Sequence, residues 1–584
     1  MGASIAITGK GIVCAIGNDK AEVLRSLREG RTGIGQMRFL PSVHHELPVG
    51  EVKLSDDRMK HMLGLNEALA VSRTSLMAML AIREALAEAH LSDVVGKRVV
   101  LISGTTVAGM DITERHVKEP MDVLADCWRH NDCGSNTAEI ARYFGSFSDF
   151  TTLSTACSSA ANAMMMGADM LKTGDADIVV AGGSEALSLF HLNGFNALMI
   201  LDHHLCKPFD RDRAGLNLGE GAAFVVMERG DEAQERGSGV SAYLTGYANR
   251  CDAYHQTASS PQGQGAQLAM RDALCMAGLR PNDIQWVHAH GTGTPNNDAS
   301  ESQAIEAVFS SGVPPVSSTK GYTGHTTSAS GSISAVISLI AMAEGFIPGN
   351  LGWHEPMEDG IVPTLGEGDV RLHNVLCNSF GFGGNDSSLV LSDKSSASAD
   401  TPQCLSENAV IECPEVQTSS VPTMAELKAY LRPMEVRRMG KLLKSAMYVS
   451  LQALKAAGID QPDAIVIATS WGCLESSRRL LGQLAQGEGM LSPTDFMQSV
   501  HNTVGSALAI HLKCHGPNIT LSQNAASLRW ANYQARLLLR LGRCKTVLVG
   551  CYDECLPLSL HDGQRDAAED QQQVSCMAKV LRVK

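Results

Sequence analysis

Apolar positions along the chain fall into blocks of two kinds. Short runs of branched or small apolar residues, at 98–102, 177–181 and 222–226, have the length and composition of strands. Between them lie alanine-rich stretches with helical spacing, residues 76–89 being the clearest. Regular alternation of the two predicts an α/β architecture with covered sheets. Residues 4–13 read as a strand running into a glycine turn, and 20–30 as an amphipathic helix. The pair Gly9 and Gly11 does not make a dinucleotide fingerprint, because Cys14 stands where the third glycine is needed.

The pattern also repeats. Residues 153–186 lie without a gap on residues 521–554: Leu153, Ser154, Ser159, Leu171, Gly174, Val179 and Gly182 match Leu521, Ser522, Ser527, Leu539, Gly542, Val547 and Gly550. Both segments read as strand, turn, helix, glycine turn, strand. Ala85 and Leu86 match Ala453 and Leu454 at the same offset, which extends the duplication into the preceding helix. In this register Cys157 faces Ala525. Between 393 and 423 the composition shifts to Ser, Thr, Pro, Asp and Glu, marking a linker candidate that a short strand at 409–411 interrupts.

Composition narrows the function classes. Of 584 residues, 44% are hydrophobic and 19% charged, so several cores can be buried and extended disorder is excluded. A formal charge of −14 disfavours nucleic acid. The 16 cysteines show no zinc-site spacing and read as reduced thiols, mostly small core residues. The apolar run 333–343 is too short to span a bilayer, and no targeting segment is visible, so the expectation is a cytoplasmic protein without a membrane span.

Candidate chemistry sits where strands end. Cys157 lies between a strand at 151–154 and a helix at 160–171, and the positive end of a helix favours thiolate over thiol. His290 and His325 each follow a strand-like stretch in Gly- and Thr-rich loops, 288–295 and 320–325. Residues 378–385, Asn-Ser-Phe-Gly-Phe-Gly-Gly-Asn, form a loop whose backbone amides can approach a substrate oxygen.

These four motifs, in this order, resemble those of the β-ketoacyl-[acyl carrier protein] synthases, on the Cys-His-His branch, over residues 3 to 393. The resemblance implies a thiolase-like layered αβαβα fold built from two related halves, 1–238 with the nucleophile and 239–393 with both histidines. A linker at 394–404 and a third unit, 405–584, would follow, the last resembling the N-terminal half again. It implies that Cys157 accepts an acyl chain as a thioester and that His290 and His325 stabilise the enolate formed when malonyl thioester loses carbon dioxide. Lys320 joins the catalytic set, Phe382 contributes an oxyanion-hole amide and gates the acyl pocket, and Thr292 and Thr294 bind the pantetheine arm. No metal or organic cofactor is implied beyond the phosphopantetheine brought by an acyl carrier protein. Arg58, Lys60, Lys207, Arg211 and Arg213 lie in segments matching the carrier-docking rim, and a homodimer through the ketosynthase halves is expected.

One position departs from the pattern: the carboxylate that partners the family's lysine is replaced by Ser334, which makes Glu301 the candidate substitute. The third unit has Ala525 at the nucleophile position and neither histidine motif; His501, His511 and His515 read as surface or loop residues. It is therefore expected to be noncatalytic, packing on the synthase or shaping its acyl tunnel as chain-length-factor subunits do. Thr105, Thr106, Val107 and Phe195 are candidates for pocket depth. Decarboxylative condensation in a specialised fatty acid or polyketide pathway, such as an aryl polyene-like one, is the leading expectation. Housekeeping elongation and a noncatalytic carrier-binding subunit are the alternatives.

Overall fold

The computed structural model describes residues 4–91, 96–119, 130–395, 405–406, 409–489, 491–554 and 574–584. Most of the 394–404 linker lies outside them. Sixteen strands join in one continuous sheet. The first half supplies β1 (Ile5–Cys14), β2 (Val99–Gly104), β3 (Asp149–Leu153), β4 (Ile178–Glu185) and β5 (Gly221–Arg229). The second supplies β6 (Ala242–Cys251), β7 (Trp286–His288), β8 (Val316–Ser317), β9 (Asn374–Gly381) and β10 (Asn385–Ser392). The C-terminal module adds β11 (Val410–Glu412), β12 (Val416–Thr418), β13 (Ala464–Ala468), β14 (Asn518–Leu521), β15 (Thr546–Glu554) and β16 (Val574–Val583). The order is β11-β16-β15-β13-β14-β3-β2-β4-β5-β1-β6-β10-β9-β7-β8, with β12 also on β16.

Five helices cover the faces that matter here: α1 (Arg73–Glu88), α2 (Ser159–Thr173), α3 (Gln264–Ala277), α4 (Ser330–Glu344) and, in the module, α5 (Ser527–Arg540). Helices α2 and α4 pack on each other at the centre, with α1 outside the first half and α3 outside the second. This is the layered α/β arrangement the motifs imply. Strands β2, β4 and β5 are covered on both faces and so read as unbroken apolar runs. The apolar run at 333–343 belongs to α4 and is buried among the layers. Gly9 and Gly11 make no turn: β1 continues through both, with a register shift between Ile7 and Gly9. A β-carbon there would stand 2.1 Å from Ala85 O and 2.0 Å from Ala81 O, so the glycines let α1 lie directly on the strand.

The repeat register holds in three dimensions. Ala156 and Asn524, 368 residues apart, share a left-handed backbone, φ 54° and 49°. Ser159 Oγ accepts the Thr155 N–H at 2.9 Å, and Ser527 Oγ accepts the Gln523 N–H at 2.7 Å. Equivalent positions also meet each other. Leu153 pairs antiparallel with Leu521, flanked by Ser154 N–H to Thr520 O and Ser522 N–H to Thr152 O, both 3.0 Å. A local two-fold axis therefore passes between β3 and β14, as in a self-complementary dimer interface, but inside one chain. This bears on the expected homodimer: the β3 edge is already covered, so a second copy cannot pair there.

Arg529, Arg540 and Arg543 of the module reach Asp149, Asp175 and Asp169 of the first half at 3.0, 3.5 and 3.3 Å. His501, expected at the surface, is buried in this seam with its ring nitrogens 3.8 and 4.0 Å from Cys133 Sγ. The correction follows from the symmetry, since Cys133 is its repeat equivalent and equivalents face each other across the axis.

Candidate active site

Strand β3 ends in a single 3-10 turn, Ala156–Ser158, that leads into α2 and places Cys157 at the helix entrance. The left-handed Ala156 makes the turn sharp, and Ser379 Oγ donates to Cys157 O at 2.9 Å, fixing it from β9. The thiol is not the thiolate that the helix dipole alone predicts. Burial pushes it up to about 11, against the Lys320 charge and the Phe382 N–H, because removing an anion from water outweighs the helix end. Its sulfur lies 3.1 Å from His325 Nε2.

His325 is held through its backbone, its N–H donating to Asn217 O at 2.7 Å and its carbonyl accepting from Gly219 N–H at 3.0 Å. Its loop can lie this close only because Gly50 and Gly219 lack side chains; a β-carbon on either would meet Thr323 O at 2.0 or 2.3 Å. His325 Nδ1 is buried without a hydrogen-bond partner. His290 follows β7, and Glu301 clamps its loop by accepting the N–H groups of His290 and Gly291 at 2.8 and 2.7 Å. The two imidazoles meet edge to face with centroids 5.2 Å apart, and the Cys157 sulfur and one nitrogen of each ring lie within 4.8 Å of one another. Burial, then the Lys320 charge, drives both imidazoles far below their usual range, so both are neutral at physiological pH.

Lys320 lies 3.2 Å from His290 Nδ1 through its Nζ, which also donates to His290 O. An ammonium donor on Nδ1 leaves Nε2 as the N–H of His290 that faces the pocket. Burial pulls Lys320 down to about 8; the charge that opposes this most is Glu301, itself pushed up to about 7 by burial. No carboxylate oxygen of a described residue comes within 4 Å of Lys320 Nζ, so Glu301 acts through the field and through the His290 loop.

A cavity of about 400 Å³ opens from Cys157, His290 and His325 past Thr292 and Thr294. The two threonine hydroxyls are 2.8 Å apart and face it together. Arg213 donates to Pro295 O at 3.0 Å and Lys207 adjoins Gly293, placing both beside this mouth. Arg211 is exposed and paired with Glu355. Arg58 and Lys60 sit on the helix Asp56–Leu63 and line no part of the cavity.

Inward, Phe382 stacks on Phe195 at 5.8 Å, and Phe195 meets Phe496 of the module edge-on at 5.3 Å. Behind them a small void of about 30 Å³ is lined by Thr106, Val107 and His191 together with Trp471, Phe496 and His501. Thr105 lines neither space; its hydroxyl donates to Glu185 at 2.8 Å. Asn502 Nδ2 of the module donates to Phe382 O at 2.9 Å, and Ser506 packs where a side chain on Gly383 would stand. The module residues Phe496, His501 and Asn502 carry no motif in sequence; only the repeat register, which sets equivalents face to face, points toward them. The module's own elbow has Ala525 exposed and no thiol at the nucleophile position.

Comparison with known proteins agrees with this geometry. Residues 3–233 match the beta-ketoacyl synthase N-terminal domain, 241–354 its C-terminal domain, and 412–581 a second N-terminal domain model. The chain is 30% identical over 413 residues to 3-oxoacyl-[acyl-carrier-protein] synthase 2 of Staphylococcus aureus, covering 66% of this chain and 97% of that protein. It is 32% identical over 404 residues to Nodulation protein E of Rhizobium meliloti, covering 66% and 98%. Among solved structures, the ishigamide ketosynthase/chain length factor aligns at 28% identity and TM-score 0.62 over 68% of this chain and all of that one. The PfaC keto synthase-chain length factor shares the fold over 100% of this chain and 78% of its own, at TM-score 0.80 and 16% identity. With the Cys-His-His centre, both synthase domains and a third, nucleophile-free copy accounted for, the chain belongs to the beta-ketoacyl synthase family.

Proposed function

We propose that the chain catalyses decarboxylative Claisen condensation of a malonyl thioester with an acyl group held on Cys157, both delivered on the phosphopantetheine arm of an acyl carrier protein. The observation that carries this reading is the neutral His290–His325 pair converging with Cys157 at the inner end of the cavity. Cys157 passes its proton to His325 Nε2 as its sulfur attacks the acyl thioester, and His325 hands that proton to the departing pantetheine sulfur, returning to the neutral imidazole, whose Nε2–H tautomer faces the next substrate. Malonyl thioester then places its carbonyl oxygen against the imidazole N–H groups. Breaking the bond to the carboxylate releases carbon dioxide and leaves the electron pair as an enolate, which neutral donors stabilise without quenching it by proton transfer. The enolate carbon attacks the Cys157 thioester; the N–H groups of Cys157 and Phe382 receive the oxyanion, and collapse frees the β-ketoacyl product and expels the Cys157 thiolate, which takes a proton from solvent to restore the thiol. No metal or bound cofactor enters any step.

The C-terminal module acts here as a built-in partner that shapes the acyl tunnel. Phe496 closes the tunnel behind Phe195, and Asn502 holds the carbonyl of the gating Phe382. Two ketosynthase/chain-length-factor pairs among the solved relatives, the ishigamide pair and ApeO with ApeC from Xenorhabdus doucetiae, support a specialised fatty acid or polyketide pathway over housekeeping elongation. The assay is carbon dioxide release from malonyl-carrier protein with mass spectrometry of Cys157. Cys157→Ala is expected to abolish condensation, and Cys157→Gln to raise decarboxylation without product. Wild-type protein that releases no carbon dioxide and carries no acyl group on Cys157 refutes the reading in favour of a noncatalytic carrier-binding subunit.

A further inference from the structure

A second, larger cavity of about 500 Å³ lies along the seam, away from the catalytic centre. One wall is α2 (Met165, Met166, Asp169, Lys172), the opposite wall is the module (Ile519, Gln534, Leu538, Arg543), and β6 and α3 close the sides. Its size is that of a small-molecule site, and its wall combines apolar side chains such as Met165, Met166, Ile519 and Leu538 with several polar and charged ones.

The charges there do not cancel. Arg250 pairs with Asp272 at 2.5 Å. Asp169 is taken by Tyr247 Oη at 2.5 Å and by Arg543 at 3.3 Å. Lys172 is left over. Its Nζ has Met276 Sδ at 3.9 Å and the Tyr247 ring at 4.6 Å, and no described carboxylate within 4 Å. Burial pulls this amine down to about 8, the signature of an ammonium short of counter-charge. Three cations thus face two carboxylates in the cavity wall. Gln534, 4% exposed, adds a buried amide whose Oε1 has no partner.

We propose that the seam cavity binds a single-chain aliphatic carboxylate, its head group between Lys172 and Arg543 and its tail along Met165, Met166, Ile519 and Leu538. A monoanion supplies the one missing negative charge, whereas an amine ligand would add to the excess and a neutral chain would leave it. The apolar side chains account for the tail. Because the ligand would touch both α2, whose first turn follows Cys157, and α5 of the module, its binding joins the catalytic half to the module. The site rests on none of the catalytic assignments.

Cys275 is exposed and lines this cavity, which gives a position-specific readout. With the full chain and dodecanoate as probe, calorimetry is expected to show saturable binding. Peptide-mapped alkylation of Cys275 is expected to slow when the probe is present. Lys172→Met is expected to weaken binding by at least about tenfold, Lys172→Arg to retain it, and dodecanol and dodecylamine to bind no better than to the Lys172→Met chain. Absence of dodecanoate binding, an unchanged rate of Cys275 alkylation, or equal affinity of dodecanoate for wild type and a Lys172→Met chain with an unaltered melting curve overturns the proposal. Should Lys172→Met not fold, the Cys275 protection in the wild-type chain and the preference for dodecanoate over dodecylamine decide the matter.

Discussion

Cys157 carries two opposing influences: the helix entrance favours its anion, and burial disfavours it by more. The resting nucleophile is a thiol poised 3.1 Å from a neutral imidazole, so its activation is coupled to proton transfer. The same balance governs Glu301 and Lys320. Lys320, lowered to about 8, loses its proton as pH rises, and the Glu301 charge is what most opposes that loss. Deprotonation removes the ammonium held on His290 Nδ1. Carbon dioxide release from malonyl-carrier protein should therefore fall as pH rises through about 8. Glu301→Gln, which removes the supporting charge, should move that fall to lower pH, and a profile flat from neutral to basic pH would contradict this account.

Among the elements, β3 and α5 show how the same pattern serves two surroundings. Helix α2 is buried from Ser159 to Leu171 because it lies against both synthase halves. Its repeat, α5, keeps the apolar face that meets its own sheet but carries Arg529 and Arg540 toward the first half, where they pair with Asp149 and Asp175, and Arg536 toward Glu412 of the module. The seam of the module is thus held in part by ion pairs. The short helix Pro493–Ser499 brings Phe496 against Gly194, where an added β-carbon would lie 2.2 Å from the ring, so this contact requires glycine. Phe496→Ala is expected to open the tunnel toward His501 and lengthen the acyl groups recovered from Cys157, at a stability cost of about 3–5 kcal/mol. Unchanged chain lengths would show that the tunnel ends elsewhere. The continuous course of β1 through Gly9 and Gly11 is the counterpart lesson: a glycine pair looks like a turn in sequence, and only the helix lying on it shows that close approach was needed.

For the whole molecule, the third unit completes a symmetric seam within one chain. Truncation after Asp393 exposes the β3 edge and removes Asn502 from the gating loop. The shortened protein should self-associate through that edge or aggregate, as sedimentation would show, with altered product length. Unchanged assembly and unchanged products would mean that the module is an appendage.

Sequence alone determined the α/β alternation, the duplication, the loss of the nucleophile at Ala525 and the Cys-His-His set, because each is written in local pattern or short motifs whose chemistry needs those residue types. Tertiary structure alone decided that the two copies meet about an axis through Leu153 and Leu521, that His501 is buried, that Arg58 and Lys60 line no part of the cavity, and that Phe496 and Asn502 reach Phe195 and Phe382. It also decided that Cys157 rests as a thiol. These are properties of burial and of contacts between residues hundreds of positions apart. Desolvation and packing depend on what covers a side chain, and no local stretch of sequence contains its own cover.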